Sequence, residues 1–255
     1  MFNKLKFPFI SMLYLIGLGL NLHSIPKEGI DALTKCKKVY LENYTVDFPY
    51  PLTMLEEALD KKFEEADRAF VEGLTIIDEA KKKDVALLVY GSPLTATTHI
   101  TLLHEAKLSR VKTKVIFAGS VFDAIAQTGL QIYKFGKVTS MPRWDAEKNF
   151  TPTSFMDVVA QNQTIDAHSL ILVDIGLFFR TAIKQLGIAA KEKNISLDKI
   201  IVCERLGTKG KRILYGSFKD FEKERRISNP YCFILPGKMH FVEKEVLEEI
   251  TKDNE

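Results

Sequence analysis

Three short apolar runs each end in a glycine-bearing bend, and this pattern constrains the fold more than any other feature of the chain. Met12 to Ile16 stops at Gly17-Leu18-Gly19, Val85 to Tyr90 stops at Gly91-Ser92-Pro93, and Val115 to Phe117 runs on to Gly119. A continuous apolar run of this length before a tight turn is how a strand buried on both faces reads. Between the runs lie stretches with helical spacing. Ser24 and Pro26 occupy N-cap and early helical positions, ahead of Ile30, Leu33 and Cys36. Val39 to Tyr44 reads as a second strand and Leu52 to Lys62 as a helix. Glu64 to Lys83 reads as one longer helix, with Phe70, Leu74 and Ile77 on its buried stripe. Thr97 to Arg110 reads as another helix. Strands alternating with helices imply βαβ units, right-handed crossovers and a parallel sheet.

The rhythm changes near 115–125. Beyond it, Leu170 to Asp174, Ile200 to Arg205 and Tyr231 to Leu235 read as strands, and Arg180 to Lys193 and Phe241 to Thr251 as helices. A proline-containing, aromatic connection from Thr139 to Phe155 holds Trp144, the only tryptophan. The expected organisation is an N-terminal extension (1–11), an N-terminal α/β domain (12–119) and a C-terminal α/β domain (120–255). The chain opens with lysines and an apolar run, as a secretory leader does. Asn21 to Ser24 offer no small-x-small cleavage site, however, and cleavage there would remove the first strand. No stretch reaches the roughly 20 apolar residues of a membrane span.

Composition narrows the chemistry. Lys plus Arg is 36 and Asp plus Glu is 33, so the net charge is +3. That is too small for the whole-surface field that many nucleic-acid binders carry. Cys36, Cys203 and Cys232 are far apart and form no CxxC pair, so neither a disulfide framework nor a structural zinc site is expected, and the compartment is reducing. His99 and His104 do not stand at the i,i+4 spacing of a zinc protease. Leu22 stands where a GxGxxG fingerprint needs its third small residue, and no P-loop is present. Ser92 lacks the GxSxG context, and no Cys–His pairing is evident. The basic runs Lys81 to Lys83, Lys209 to Arg212 and Lys223 to Arg226 read as solvated surface. No catalytic residue and no metal ligand is assigned. In an open parallel sheet, ligands bind beyond the carboxyl ends of the strands. The loops Gly17 to Leu20, Gly91 to Leu94 and Ala118 to Val121 are therefore the candidates.

Six segments carry a resemblance to a known family: LYLIGLGL (13–20), GSPLTATTH (91–99), TGLQIYKFGK (128–137), FTPTSFMDV (150–158), HSLILVDI (168–175) and PGKMHFVE (236–243). The chain resembles the archaeal diphthine synthases, a branch of the tetrapyrrole methylase-like, class III S-adenosylmethionine-dependent methyltransferases. The likeness runs through residues 12–250. Within the larger group, TGLQIYKFG and PGKMHFVE are specific to this branch, whereas GLG and GxPxxAT are shared more widely.

The resemblance implies a two-domain α/β fold, with a parallel sheet in the N-terminal domain, a mixed sheet in the C-terminal domain and the methyl donor in the cleft between them. It implies a cytoplasmic homodimer with S-adenosylmethionine as co-substrate, no metal, and no direct nucleic-acid or membrane partner. It implies N-methylation of the 3-amino-3-carboxypropyl-modified histidine of translation elongation factor 2, the diphthine step of diphthamide biosynthesis. Carried over by position, the donor contacts come from Leu20, Ser92, Thr95, Ser120, Val121, Val173, Glu204 and His240. On the residues alone, Leu20, Val121 and Val173 read as core, Thr95 and Ser120 as capping or turn residues, and His240 as a loop residue.

Two positions depart from the family pattern. Ser92 replaces the aspartate of the GDP motif, and Glu204-Arg205-Leu206-Gly207-Thr208 stands where the family has Ala-Arg-Ala-Gly-Ser. A serine has no charge to set against a cation, and charge-assisted hydrogen bonds are roughly twice as strong as neutral ones. The widely shared motifs leave two alternatives open: a methyltransferase of the same fold acting on a tetrapyrrole or ribosomal RNA, and a non-catalytic relative. The lack of a triad, a paired-carboxylate signature or a metal cluster suits methyl transfer from a sulfonium. That reaction needs alignment, which can supply about 7–11 kcal/mol. It also needs a neutral amine, and an α-amino group titrates near 8.

Overall fold

The computed structural model describes residues 11–224 and 226–253. Apart from Ser11, the expected extension 1–11 lies outside the described residues. The chain divides into two compact units. The described residues up to Thr45, with Tyr50–Ser120, form the first; Val46–Pro49 and the residues from Val121 onward form the second.

In the first unit the elements alternate: β1 (Met12–Gly17), α1 (Lys27–Leu33), β2 (Lys38–Glu42), α2 (Leu52–Leu59), β3 (Glu64–Ala66), α3 (Arg68–Glu72), α4 (Thr75–Ala80), β4 (Val85–Val89), α5 (Ile100–Leu108) and β5 (Lys112–Ile116). The sheet order is β3-β2-β4-β1-β5, and each pairing is parallel. α1 and α4 pack on β1, so Leu13, Leu15, Leu87 and Val89 are fully buried. Such burial contributes about 1.5–3 kcal/mol per side chain. Near-continuous apolar runs are what a two-sided burial of this kind requires.

The edges of this sheet differ from expectation. β5 begins at Lys112, ahead of the apolar run, and its burial alternates along Lys112-Thr-Lys-Val-Ile. As an edge strand it needs apolar residues on one face only, and its lysines discourage pairing with another chain. The single helix expected over Glu64 to Lys83 is three elements. Glu64–Ala66 pairs with β2. Asp67 then caps α3, accepting the Phe70 N–H at 2.8 Å. Leu74, at φ +65°, breaks the path before α4. Phe70, Leu74 and Ile77 still face one core, because two short helices present them there in succession. α1 also starts later than expected: Pro26, not Ser24, holds the N-cap position. Cys36 lies beyond the end of α1, although it is buried.

The second unit contains α6 (Val121–Ala124), β6 (Thr139–Met141), α7 (Phe155–Gln163), β7 (Ser169–Val173), α8 (Phe179–Glu192), β8 (Lys199–Glu204), β9 (Arg212–Ser217), α9 (Phe218–Phe221), β10 (Tyr231–Leu235) and α10 (Phe241–Lys252). The sheet order is β6-β7-β10-β8-β9, with β6 parallel to β7 and the remaining pairs antiparallel. This is the expected mixed sheet. Met156, Val159, Ile183, Leu186, Val202 and Phe233 form its core. The segment Val46–Pro49 joins this unit through Asp47, whose Oδ2 accepts from the Gly176 N–H at 2.8 Å and the Asn229 side-chain amide at 2.5 Å. Among the described residues, no helix is long and apolar enough to cross a membrane.

Candidate functional site

The order β4-β1-β5 brings three strand ends side by side in the first unit. β1 connects through α1 towards β2, whereas its neighbour β4 connects through α5 towards β5, in the opposite direction. Such a reversal opens a crevice at the carboxyl ends of the strands.

The bends after β1 and β4 are tied together by backbone, and the bend after β5 packs beside them. Leu18 N–H donates to the Val89 carbonyl at 2.9 Å. Gly19 and Gly91 exchange hydrogen bonds at 3.1 and 2.9 Å, a one-rung antiparallel bridge at the tip of a parallel sheet. Both adopt left-handed backbone, φ +67° at Gly19 and +73° at Gly91, which glycine reaches without steric cost. Gly17 admits no side chain: a Cβ there would lie 2.7 Å from the Gly91 carbonyl oxygen and 2.9 Å from Ala118 Cβ. Gly119 is the opposite case, with nothing within 4 Å of a Cβ added to it, so the bend after β5 borders open space.

Polar groups frame this junction. Ser92 and Ser120 are buried, 6% and 5% exposed, and Thr95 is half-buried. Thr95 N–H donates to the Ser92 carbonyl at 3.1 Å. The Pro93 carbonyl faces two donors, the Thr97 hydroxyl at 2.7 Å and His99 Nδ1 at 2.9 Å. Tyr90, which the sequence does not mark, donates its hydroxyl to the Leu20 carbonyl at 3.0 Å. Burial pushes the Tyr90 phenol well above its ordinary range, so it stays a donor. Leu20, Ser92, Thr95 and Ser120 therefore gather on one set of strand tips.

The other four expected residues belong to the second unit. Val121 opens α6. Val173 and Glu204 end β7 and β8 on the same edge of the mixed sheet, either side of the start of β10. His240 follows β10 at the opposite edge, as the N-cap of α10. Glu204 is buried and engaged within the unit: Oε2 accepts from Arg212 Nε at 2.7 Å, and Oε1 from the Ser228 N–H at 2.7 Å.

His240 sits beside a network that converges on Glu243. The Glu243 carboxylate accepts from Lys134 Nζ at 2.5 Å, the Gln131 N–H at 2.9 Å and the His240 N–H at 2.6 Å. His168 Nδ1 accepts the Gly237 N–H at 2.9 Å, so its other nitrogen carries the proton that points at Glu243, 3.4 Å away. Burial keeps His168 neutral by holding its pKa below the ordinary value, against the pull of Glu243. Segments 128–137, 168–175 and 236–243 thus meet at one carboxylate. A cavity of about 490 Å³ adjoins them, lined by Tyr133, Phe135, Ile165, Lys238, Met239 and His240 among others. Among the described residues, no cluster of three or more His, Cys, Asp or Glu side chains is placed to hold a metal ion.

Comparison with known proteins gives a consistent answer. The family model described as tetrapyrrole (corrin/porphyrin) methylases matches residues 12–222. The chain is 34% identical over 258 residues to a diphthine synthase of Methanocaldococcus jannaschii, covering 95% of this chain and 100% of that protein. It is 35% identical over 256 residues to a diphthine synthase of Methanococcus maripaludis, with the same coverage of each chain, 95% and 100%. A crystal structure of diphthine synthase superposes with a TM-score of 0.86 at 27% identity, over 95% of this chain and 96% of the other.

Proposed function

Because the chain belongs to the diphthine synthase family of tetrapyrrole methylases, we propose that it methylates the amino group of the 3-amino-3-carboxypropyl-modified histidine of translation elongation factor 2. The enzyme is an S-adenosylmethionine-dependent methyltransferase, and in this reading it works in the cytoplasm as a homodimer. The observation that carries the reading is the full-length likeness to diphthine synthases together with the glycine-tied strand tips of the first unit.

When bound, S-adenosylmethionine supplies a methyl group on a positively charged sulfur, already activated as a leaving group. The residues of this chain orient it. The two clasped bends present Leu20, Ser92 and Thr95, with Ser120 packed beside them, and rigidity of this kind sustains alignment. The resemblance adds Val121, Val173, Glu204 and His240 to the donor contacts, and His240, at the opposite edge of the mixed sheet from Val173 and Glu204, rests on the resemblance alone. Glu204 contributes through its backbone, since both carboxylate oxygens are engaged by Arg212 and Ser228. No general base is needed for an amine that is partly neutral at physiological pH.

The test is direct. Incubation with labelled donor and elongation factor carrying the carboxypropyl arm should place label on the histidine peptide, in mass steps of one methyl. No transfer, with an authentic diphthine synthase active in parallel, overturns the reading. Ser92 favours a second reading, a relative with weakened donor binding. Ser92→Asp is expected to tighten S-adenosylmethionine binding about fivefold, as one neutral hydrogen bond becomes charge-assisted. Calorimetric titration of both forms checks this, and unchanged affinity removes Ser92 from the donor site.

A further inference from the structure

Behind the Gly91–Thr95 bend lies a buried pair of ionisable side chains that methyl transfer itself does not use. Glu42, the last residue of β2, and His99, immediately before α5, are each only 1% exposed. Their closest approach is 3.5 Å, from His99 Nε2 to Glu42 Oε2. His99 Nδ1 lies 2.9 Å from the Pro93 carbonyl oxygen. A carbonyl can only accept, so Nδ1 carries a hydrogen. Among the described residues, no group meets Nε2 at hydrogen-bond distance, and the Glu42 carboxyl is what faces it. Burial pushes that carboxyl up, against the opposing pull of Thr45, His99 and Arg68. With Nδ1 committed to the Pro93 carbonyl, Nε2 is the ring nitrogen left to face the Glu42 carboxyl, and each partner lessens the cost of burying the other.

We infer that Glu42 and His99 are positioning residues for the methyl donor: the pair holds Nδ1–H on the Pro93 carbonyl and thereby sets the shape of the bend that carries Ser92 and Thr95. Pro93 has no N–H and sits between those two residues, so its carbonyl is the handle by which the core can hold the bend. The second donor on that oxygen, the Thr97 hydroxyl, comes from the same loop. His99 is the donor whose other ring nitrogen faces the sheet, 3.5 Å from the Glu42 carboxyl on β2. This inference rests on the donor-binding reading above and adds to it the two residues that act through Pro93.

Calorimetric titration of the full chain with S-adenosylhomocysteine separates the possibilities. His99→Leu, which removes the donor, is expected to weaken binding about tenfold, the upper end of what one hydrogen bond contributes. His99→Asn can still donate from the Nδ1 position and should bind within about threefold of wild type. Glu42→Gln can donate to Nε2 and should behave in the same way. NMR of the ring nitrogens of wild-type protein should show Nδ1 protonated, and this holds whether or not the leucine variant folds. Wild-type binding with unchanged affinity in folded His99→Leu overturns the positioning role alone. So does an unprotonated Nδ1. Failure of the wild-type protein to bind overturns the donor reading, and the positioning role with it.

Discussion

Gly17→Ala is expected to cost about 3 kcal/mol of stability, the upper range for overpacking a filled interior, and to slow methyl transfer about a hundredfold. The added carbon would meet the Gly91 carbonyl oxygen at 2.7 Å and both Ala118 Cβ and the Ala118 backbone nitrogen at about 3 Å. Two of these are main-chain atoms, so no side-chain rotation relieves the clash. The bends after β1, β4 and β5 must separate. Displacements near 1 Å at a positioning element cost about a hundredfold in rate. Gly91→Ala is the informative contrast. Space exists there, the nearest atom being Ser120 Cα at 3.8 Å, but the backbone is left-handed at φ +73°. Strain alone then costs about 1–2 kcal/mol. Urea unfolding and single-turnover transfer, measured on both variants, separate crowding from strain. Equal effects would mean that the junction is not close-packed in solution.

Glu243→Ala should destabilise the protein by about 3–5 kcal/mol, the usual cost of breaking a buried ionic network on one side. Burial opposes the Glu243 charge, yet the ammonium of Lys134, the N–H groups of Gln131 and His240, and His168 together hold its carboxyl at about 2. The ordinary glutamate value is near 4.3. The folded pKa is therefore the lower of the two. Its contribution is present in full above the unfolded value and is lost as pH falls from about 4.5 towards 2. By linkage the loss amounts to about 3 kcal/mol. His168, also depressed, acts in the same direction, with loss beginning below about 6.5. Urea midpoints across this acid range should fall steeply for the wild type and more gently for Glu243→Ala. Parallel curves would show that Glu243 is not the group responsible.

The central strands of both sheets were legible because burial on two sides leaves no choice but apolar residues: Leu13 to Ile16, Val85 to Val89 and Ile200 to Cys203 read as strands directly. Edge strands were less so: β5 read as a strand only at its apolar end, Val115 to Phe117, and β3, β6 and β9 did not read as strands. Glu64-Glu65-Ala66 has the composition of a helix, and only the neighbouring β2 makes it extended. β9 begins within a basic run and buries only Ile213 and Leu214, and so hides as surface. α7 shows helical spacing in Phe155, Met156 and Val159, but its fourth buried position is Asn162. That polar residue is tolerated inside because its amide bonds both backbone groups of Lys137 and the Ser169 hydroxyl.

The site was legible in pieces. Glycines marked the three bends, since turns need the backbone freedom that only glycine supplies cheaply. That Gly19 and Gly91 clasp each other was not legible, because it depends on β1 and β4 being neighbours. His99 fell near the start of the helix read over Thr97 to Arg110, with no sign of a partner. Its bond to the Pro93 carbonyl depends on a rotamer that spacing cannot reveal. The segments that meet at Glu243 were recognised one by one, and only the folded chain shows that they share a carboxylate.

The excursion of Val46–Pro49 bears on how the polypeptide can be made and cut. These four residues leave the ribosome well before the loops they bond, since the carboxylate of Asp47 accepts from Gly176 and Asn229, made much later in synthesis. A fragment starting at Val121 would lack the carboxylate that its Gly176 and Asn229 bond. Dissecting this protein at Ser120 therefore yields an incomplete C-terminal half, unless a peptide spanning 46–49 is supplied in trans.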